Sequence, residues 1–183
     1  NNIEVKGAYA EETKSVSGLP ENPRLANLRW SPDEKMMSFT HTTNDGVEAW
    51  ILDISNSTAK RITSAKVNAN MGSPVSWFAD SKALLVKMLP PDRKPLINTA
   101  EAVPGGPTVS VSAGAKAQNR TYQDLLKNPN DEQNFEQLAL SQIKKVSVSG
   151  QVSDWLPTAM YTGVSFSPNG EYVMVSQVKR PFS

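Results

Sequence analysis

Apolar and polar positions alternate in short runs rather than at helical spacing, and three of these runs repeat. Segments 27–40, 74–87 and 163–176 align without gaps. Each begins with an apolar-polar-aromatic triplet: Leu28-Arg29-Trp30, Val75-Ser76-Trp77 and Val164-Ser165-Phe166. A tight turn follows, then a second strand rich in apolar residues: Met36–Phe39, Ala83–Val86 and Tyr172–Val175. Ser31-Pro32-Asp33 and Ser167-Pro168-Asn169-Gly170 give the turn its chemistry, proline for a fixed φ and glycine for a positive one. Glu34 and Ser81 stand where the third copy has Gly170, so looser or differently typed turns are expected there.

Trp30 to Trp77 is 47 residues and Trp77 to Phe166 is 89, so one repeat is swollen by an insertion of about forty residues. A period of 40–50 residues with several short strands marks a β-propeller of four-stranded blades. The first blade fills in as 27–30, 35–41, 48–54 and 59–63. The second has 75–77 and 83–89, then 141–148 and 151–156 beyond the insertion. The third starts at Gly163 and stops after two strands. Residues 1–19 read as the last strands of a preceding blade, with 13–16 outermost. The fold class is therefore all-β: a partial β-propeller with two complete antiparallel blades, pieces of two more, and a partly helical insertion at 90–140. That insertion interrupts strands B and C of the second blade and is expected to leave one face of the propeller. Its first half holds five of the 13 prolines and Gly105-Gly106. Its second half, from Arg120, reads as helix, with Thr121 capping one turn and Asn130 or Asp131 capping another.

Composition narrows the chemistry. Charged residues are 20% of the chain and the net charge is +1, which supplies no field to gather phosphate, so a nucleic-acid partner is not expected. No apolar run reaches the ~20 residues of a membrane span. With no cysteine and one histidine, His41, disulfides, thiolate metal sites and multi-histidine sites are unavailable within the chain. No metal or cofactor is expected. A Ser-His-Asp triad must use His41, and nothing around it supplies a partnered serine and carboxylate; it reads as structural or solvent-facing. The Gly-x-Ser-x-Gly elbow of α/β-hydrolases does not occur. Trp30, Trp50, Trp77 and Trp155 recur on strands and read as packing between blades. Glu11-Glu12 reads as a solvated pair, and Asn56-Ser57-Thr58 and Asn119-Arg120-Thr121 match the glycosylation sequon, by chance if the source is bacterial.

Several motifs resemble one family. They are Lys14-Ser15-Val16-Ser17-Gly18-Leu19-Pro20, Trp30-Ser31-Pro32-Asp33, Arg120-Thr121-Tyr122-Gln123-Asp124-Leu125-Leu126-Lys127, residues 167–176, and Lys179-Arg180-Pro181-Phe182-Ser183. Together they are similar to the N-terminal propeller of prolyl-oligopeptidase-type serine peptidases, within the glutamyl-endopeptidase-like group. The resemblance implies a propeller that gates access to a C-terminal α/β-hydrolase domain, which is absent from residues 1–183. It transfers no catalytic residue to this chain, which alone is not an enzyme. Implied partners are a peptide substrate and that hydrolase domain. Arg180, and secondarily Arg120, are candidate substrate-binding residues, because selecting a glutamate needs a cation and a guanidinium can hold it by two hydrogen bonds. The alternative from another class is a non-enzymatic Tol-type or WD-type binding propeller. The compartment stays open, with a periplasmic or otherwise exported one preferred to the cytoplasm. An incomplete ring leaves apolar faces and strand edges uncovered, so self-association is expected.

Overall fold

The computed structural model describes residues 2–98, 114, 126 and 128–182. The chain divides into two compact units, Asn1–Arg93 with Ala139–Ser183, and Lys94–Leu138. The first unit is built of strands. β1 (Glu4–Val5) and β2 (Lys14–Ser15) form a small antiparallel ribbon. β3 (Leu25–Trp30), β4 (Met36–Thr42), β5 (Val47–Asp53) and β6 (Thr58–Arg61) form a four-stranded antiparallel sheet in sequence order. β7 (Val75–Trp77), β8 (Ala83–Met88), β9 (Ser141–Ser147), β10 (Val152–Phe166) and β11 (Val173–Val178) form a second sheet, also in order.

Strand periodicity decides the packing, because successive side chains point to opposite faces. In the first sheet, Ala49 and Ile51 belong to one core with Val75, Trp77, Leu84, Val86 and Val146 of the second sheet. Phe39, Trp50, Leu52 and Ala59 belong to another core, covered by Ile3, Val5, Val16 and Leu19 from the amino-terminal segment. The second sheet is two-sided as well. Its other face carries Leu85, Ile143 and Tyr161, packed with Phe78, Trp155, Val164 and Phe166. The resulting stack, segment on sheet on sheet on the β10–β11 extension, is a partial β-propeller.

A hydrogen bond ties the two sheets at their inner edges. Trp77 Nε1 donates to the Arg29 carbonyl at 3.2 Å. That carbonyl lies beside a bulge in β3, where the register against β4 shifts between Ala26 and Arg29 and Asn27 takes φ 55°. Thr40 Oγ1 donates to the Ala26 carbonyl at 3.1 Å and accepts from Asn27 Nδ2 at 2.9 Å. The buried hydroxyl on β4 thus satisfies polar groups that the bulge releases from the ladder.

The three repeated turns share one geometry. In each, an amide donates back three residues: Glu34 to Ser31, Ser81 to Phe78 and Gly170 to Ser167, at 2.8–3.0 Å. In each, the first residue also donates forward five residues: Ser31 to Met36, Phe78 to Ala83 and Ser167 to Tyr172. The expectation of looser turns at Glu34 and Ser81 is corrected: both adopt the left-handed conformation of Gly170, with φ 60°, 57° and 73°. Each non-glycine residue there costs about 1 kcal/mol, which the pair of backbone bonds and the flanking strands offset. Neighbouring turns also touch. The Asp33 amide donates to Ser81 Oγ at 3.1 Å, and a Cβ added at Gly170 would lie 2.7 Å from the Ala79 Cβ.

Three boundaries differ from the sequence reading. The strand expected to end at Leu156 and the one expected to begin at Gly163 are a single β10; its first part pairs with β9 and its later part with β11. Residues 157–162 contain no turn signal, and register shifts at Asp154–Thr158 take up Pro157, which has no amide to offer. The amino-terminal segment, after its ribbon, adds to the outer edge of the first sheet. The Ser17 amide donates to the Ser57 carbonyl at 2.9 Å and the Ala59 amide donates to the Ser17 carbonyl at 2.8 Å. In the second unit, α1 (Pro129–Ala139) is capped by Asn128, not by Asn130 or Asp131. Asn128 Oδ1 accepts from both of their amides at 2.9 and 3.0 Å, and Pro129 sits at the first helical position, where its missing amide costs nothing. Within that unit the Asn134 amide pairs with both backbone groups of Ile97, at 2.7 and 2.9 Å. Thr121 lies outside the described residues.

The equivalent tryptophans test the stack. Trp77 is 9% exposed and bonded across sheets, whereas Trp30 is 55% exposed, a departure from the packing role expected for it. Trp77→Ala is expected to cost about 3–5 kcal/mol and Trp30→Ala less than about 1 kcal/mol in urea unfolding of the chain. Equal losses would mean that the two tryptophans contribute alike to the stack, against the burial of one and the exposure of the other.

Candidate functional site

Two buried polar constellations stand out in the strand unit. In the first sheet, His41 on β4 faces Glu48 on β5 in register. Both are 6% exposed. The Glu48 carboxylate accepts from Trp50 Nε1 at 2.9 Å through one oxygen and from the Arg61 guanidinium at 2.9 Å through the other. His41 Nδ1 accepts the Arg24 amide at 3.1 Å, which places the ring proton on Nε2, and the Trp50 ring meets the imidazole edge-on at 6.2 Å. A catalytic imidazole would instead donate from one nitrogen to a carboxylate and accept from a nucleophilic hydroxyl at the other. Among the described residues no serine hydroxyl bonds to His41. The group is a satisfied buried network that fixes the β4–β5–β6 register and the entry of the chain at Arg24.

The second constellation centres on Lys87 of β8, 1% exposed. Its ammonium donates to the Met71 carbonyl and, at 3.1 Å, to the Tyr161 carbonyl. Its amide and carbonyl are taken by Pro74 and Asn68. One side chain therefore joins the loop before β7, the middle of the second sheet, and β10 near the point where its pairing changes strand. Burial holds the Lys87 amine below its ordinary range. Burial likewise raises the neighbouring Tyr161 phenol, whose hydroxyl donates to the Pro157 carbonyl at 2.6 Å.

The residues expected from sequence fall elsewhere. Arg180 is exposed beyond β11, its guanidinium 4.9 Å from the Phe182 ring centroid. Arg120 lies outside the described residues, so no geometry joins the two. Glu11 and Glu12 are both exposed. Trp50 and Trp77 are buried, and Trp155 packs with Phe78 and Phe166 at ring-centroid distances of 5.4 and 6.0 Å. The sequence reading missed Lys87 and Glu48. The signal for Lys87 was present: it stands two residues after Leu85 in an otherwise apolar run, at an inward position of the alternation. Among the described residues no three acidic or histidine side chains gather to hold a metal ion, and no helix is long and apolar enough to cross a membrane.

Stacked antiparallel sheets on a repeated turn, with polar groups buried between strands, define a β-propeller segment. Its sequence relatives are specific. The chain is 32% identical over 183 residues to "Probable glutamyl endopeptidase, chloroplastic" of Oryza sativa subsp. japonica, covering 93% of the chain and 19% of that protein. It is 31% identical over 184 residues to the protein of the same name in Arabidopsis thaliana, covering 93% of the chain and 18% of that protein. The chain is thus similar along nearly its whole length to one segment of these probable glutamyl endopeptidases. It spans about a fifth of the length of these curated relatives. No protein-family model matches it. Among solved structures, TolB from Acinetobacter baumannii overlaps 97% of the chain and 43% of its own, with a TM-score of 0.38 and 13% identity. The acylaminoacyl peptidase of Pyrococcus horikoshii overlaps 82% of the chain and 28% of its own, with a TM-score of 0.36 and 14% identity.

Lys87 yields a test of sign. Its folded pKa lies below the unfolded value, so just below the ordinary 10.5 the unfolded chain binds more protons than the folded one. Stability from this group therefore rises with pH through that window. The difference in urea midpoint between the parent chain and Lys87→Met is expected to shift in favour of the parent from about pH 8 to about pH 10. A constant difference would show that Lys87 titrates alike in both states.

Proposed function

We propose that the chain is the non-catalytic propeller portion of a serine peptidase, and that it controls which peptides reach a hydrolase domain lying outside residues 1–183. The observation that carries this reading is the sequence relation to the two probable glutamyl endopeptidases, which runs through 93% of the chain rather than through a single motif. The buried networks agree with it: His41 and Glu48 are committed to backbone, indole and guanidinium partners, which suits a rigid gate better than a reacting centre.

In this reading peptide hydrolysis proceeds through an acyl-enzyme formed on the hydrolase domain. The propeller contributes exclusion: flexible peptides pass, folded proteins do not. Arg180 is the first candidate to contact an acidic substrate side chain, and Arg120 the second. Arg180 is exposed and follows the last strand of the β10–β11 hairpin. A plastid or exported setting is compatible with the relatives' names.

The test is made in the full-length protein. Arg180→Ala is expected to lower kcat/KM for peptides cleaved after Glu by about tenfold while leaving Ala-containing peptides nearly unchanged, since loss of one charge-assisted contact in a site is worth about 1.5–3 kcal/mol at most. An unchanged preference for Glu over Ala would remove Arg180 from the substrate site. Failure of the full-length protein to cleave any peptide would remove the peptidase reading.

A further inference from the structure

Where β8 ends and β9 begins, the strand unit carries a groove of about 480 Å3. Its apolar lining is Met88, Leu89 and Pro90 with Pro91; its charged lining is Lys66, Arg93 and Lys144, and Gln142 adds an amide. Among the described residues no carboxylate lines it. For a chain whose net charge is +1, three cations around one small groove is a local departure from the average.

The backbone fixes this arrangement. Val67 bridges Met88, and the Leu89 amide donates to the Lys66 carbonyl at 2.7 Å, so the Lys66 segment runs along one side of the end of β8. On the other side Met88 pairs with Gln142, and Lys144 follows two residues later on the same face of β9. A turn closed by the Arg93 amide on the Pro90 carbonyl, at 3.2 Å, brings Arg93 back to the groove. The cations are thus carried by three different backbone segments around an apolar floor. Lys144 is also held by the exposed Asp154 carboxylate across the β9–β10 pair, which draws part of its charge to the rim.

We propose that this groove binds an extended, acidic peptide segment, its carboxylates meeting Lys66 and Lys144 and its aliphatic carbons lying on Met88, Leu89 and Pro90. The chemistry favours a peptide over a nucleic acid. A phosphate track needs a longer run of cations, and base recognition needs aromatic faces, whereas this lining is aliphatic and prolyl. A peptide with alternating Glu and Val matches both components, because an extended chain sends alternate side chains to opposite sides. The inference does not rest on the peptidase reading, since it concerns binding without turnover.

The test is fluorescence anisotropy of a labelled Glu-Val repeat peptide with the full chain, beside its Gln-Val counterpart. The acidic peptide is expected to bind at least about tenfold tighter than the Gln form, and salt is expected to weaken it. Two exposed positions give opposite signs. Lys66→Glu weakens binding about tenfold, and Asp154→Asn, which frees Lys144 from its neighbour, tightens it about threefold. Equal binding of the two peptides, no response to either substitution, or equal competition by a single-stranded oligonucleotide of the same charge would each overturn the proposal. Retained binding in a full-length protein that cleaves no peptide would keep this inference and discard the peptidase reading.

Discussion

Both main sheets are apolar on both faces, and an antiparallel sheet with no wet face persists only with something stacked on each side of it. Everything else in the strand unit answers that constraint. The first sheet is closed on one side by the amino-terminal segment and on the other by the second sheet. The second is closed in turn by the β10–β11 extension, through the cluster of Phe78, Trp155 and Phe166. Because each fully buried aliphatic or aromatic side chain contributes roughly 1.5–3 kcal/mol, the layers stabilise one another far more than any single sheet stabilises itself. Directional contacts such as the Trp77–Arg29 hydrogen bond then select one register among the many that burial alone would tolerate.

The repeat was the most legible part of the fold, for a physical reason. The aromatic strand, the turn and the following apolar strand are all local, so their residues carry the whole instruction. What happens between repeats is less local. The continuity of β10 follows from the lack of turn chemistry at 157–162 together with bulges that only the pairing with β9 and β11 reveals. The same holds for Glu34 and Ser81. A residue rule for positive φ says glycine, yet the surrounding strands hold a glutamate and a serine in the same shape as Gly170. Side chains were the less legible half of the site. Nothing in the sequence pairs Glu48 with Arg61 across thirteen positions, or points Lys87 at carbonyls near residues 71 and 161.

Charge in this molecule is sorted by burial. Inside, Glu48 and Lys87 are fully engaged with fixed partners and hold strands in place. Outside, Lys66 and Arg180 are exposed, and Lys144 is half-buried beside Asp154. If the segment gates peptides as proposed, this division has a use: the interior need not rearrange when the rim is occupied. The nearly parallel stacking of Phe39 on Trp50, at 6.1 Å, adds to that stiffness beneath the polar network.

The enclosure of Lys87 has a consequence in covalent chemistry. An amine is modified only when its lone pair is free and a reagent can arrive, and here the ammonium is spent on two carbonyls at a position 1% exposed. Acylating reagents in water reach the surface lysines directly but must wait for the second sheet to part before they reach this one. Its labelling rate would therefore report how often that sheet opens, making Lys87 a clock for the breathing of the stack.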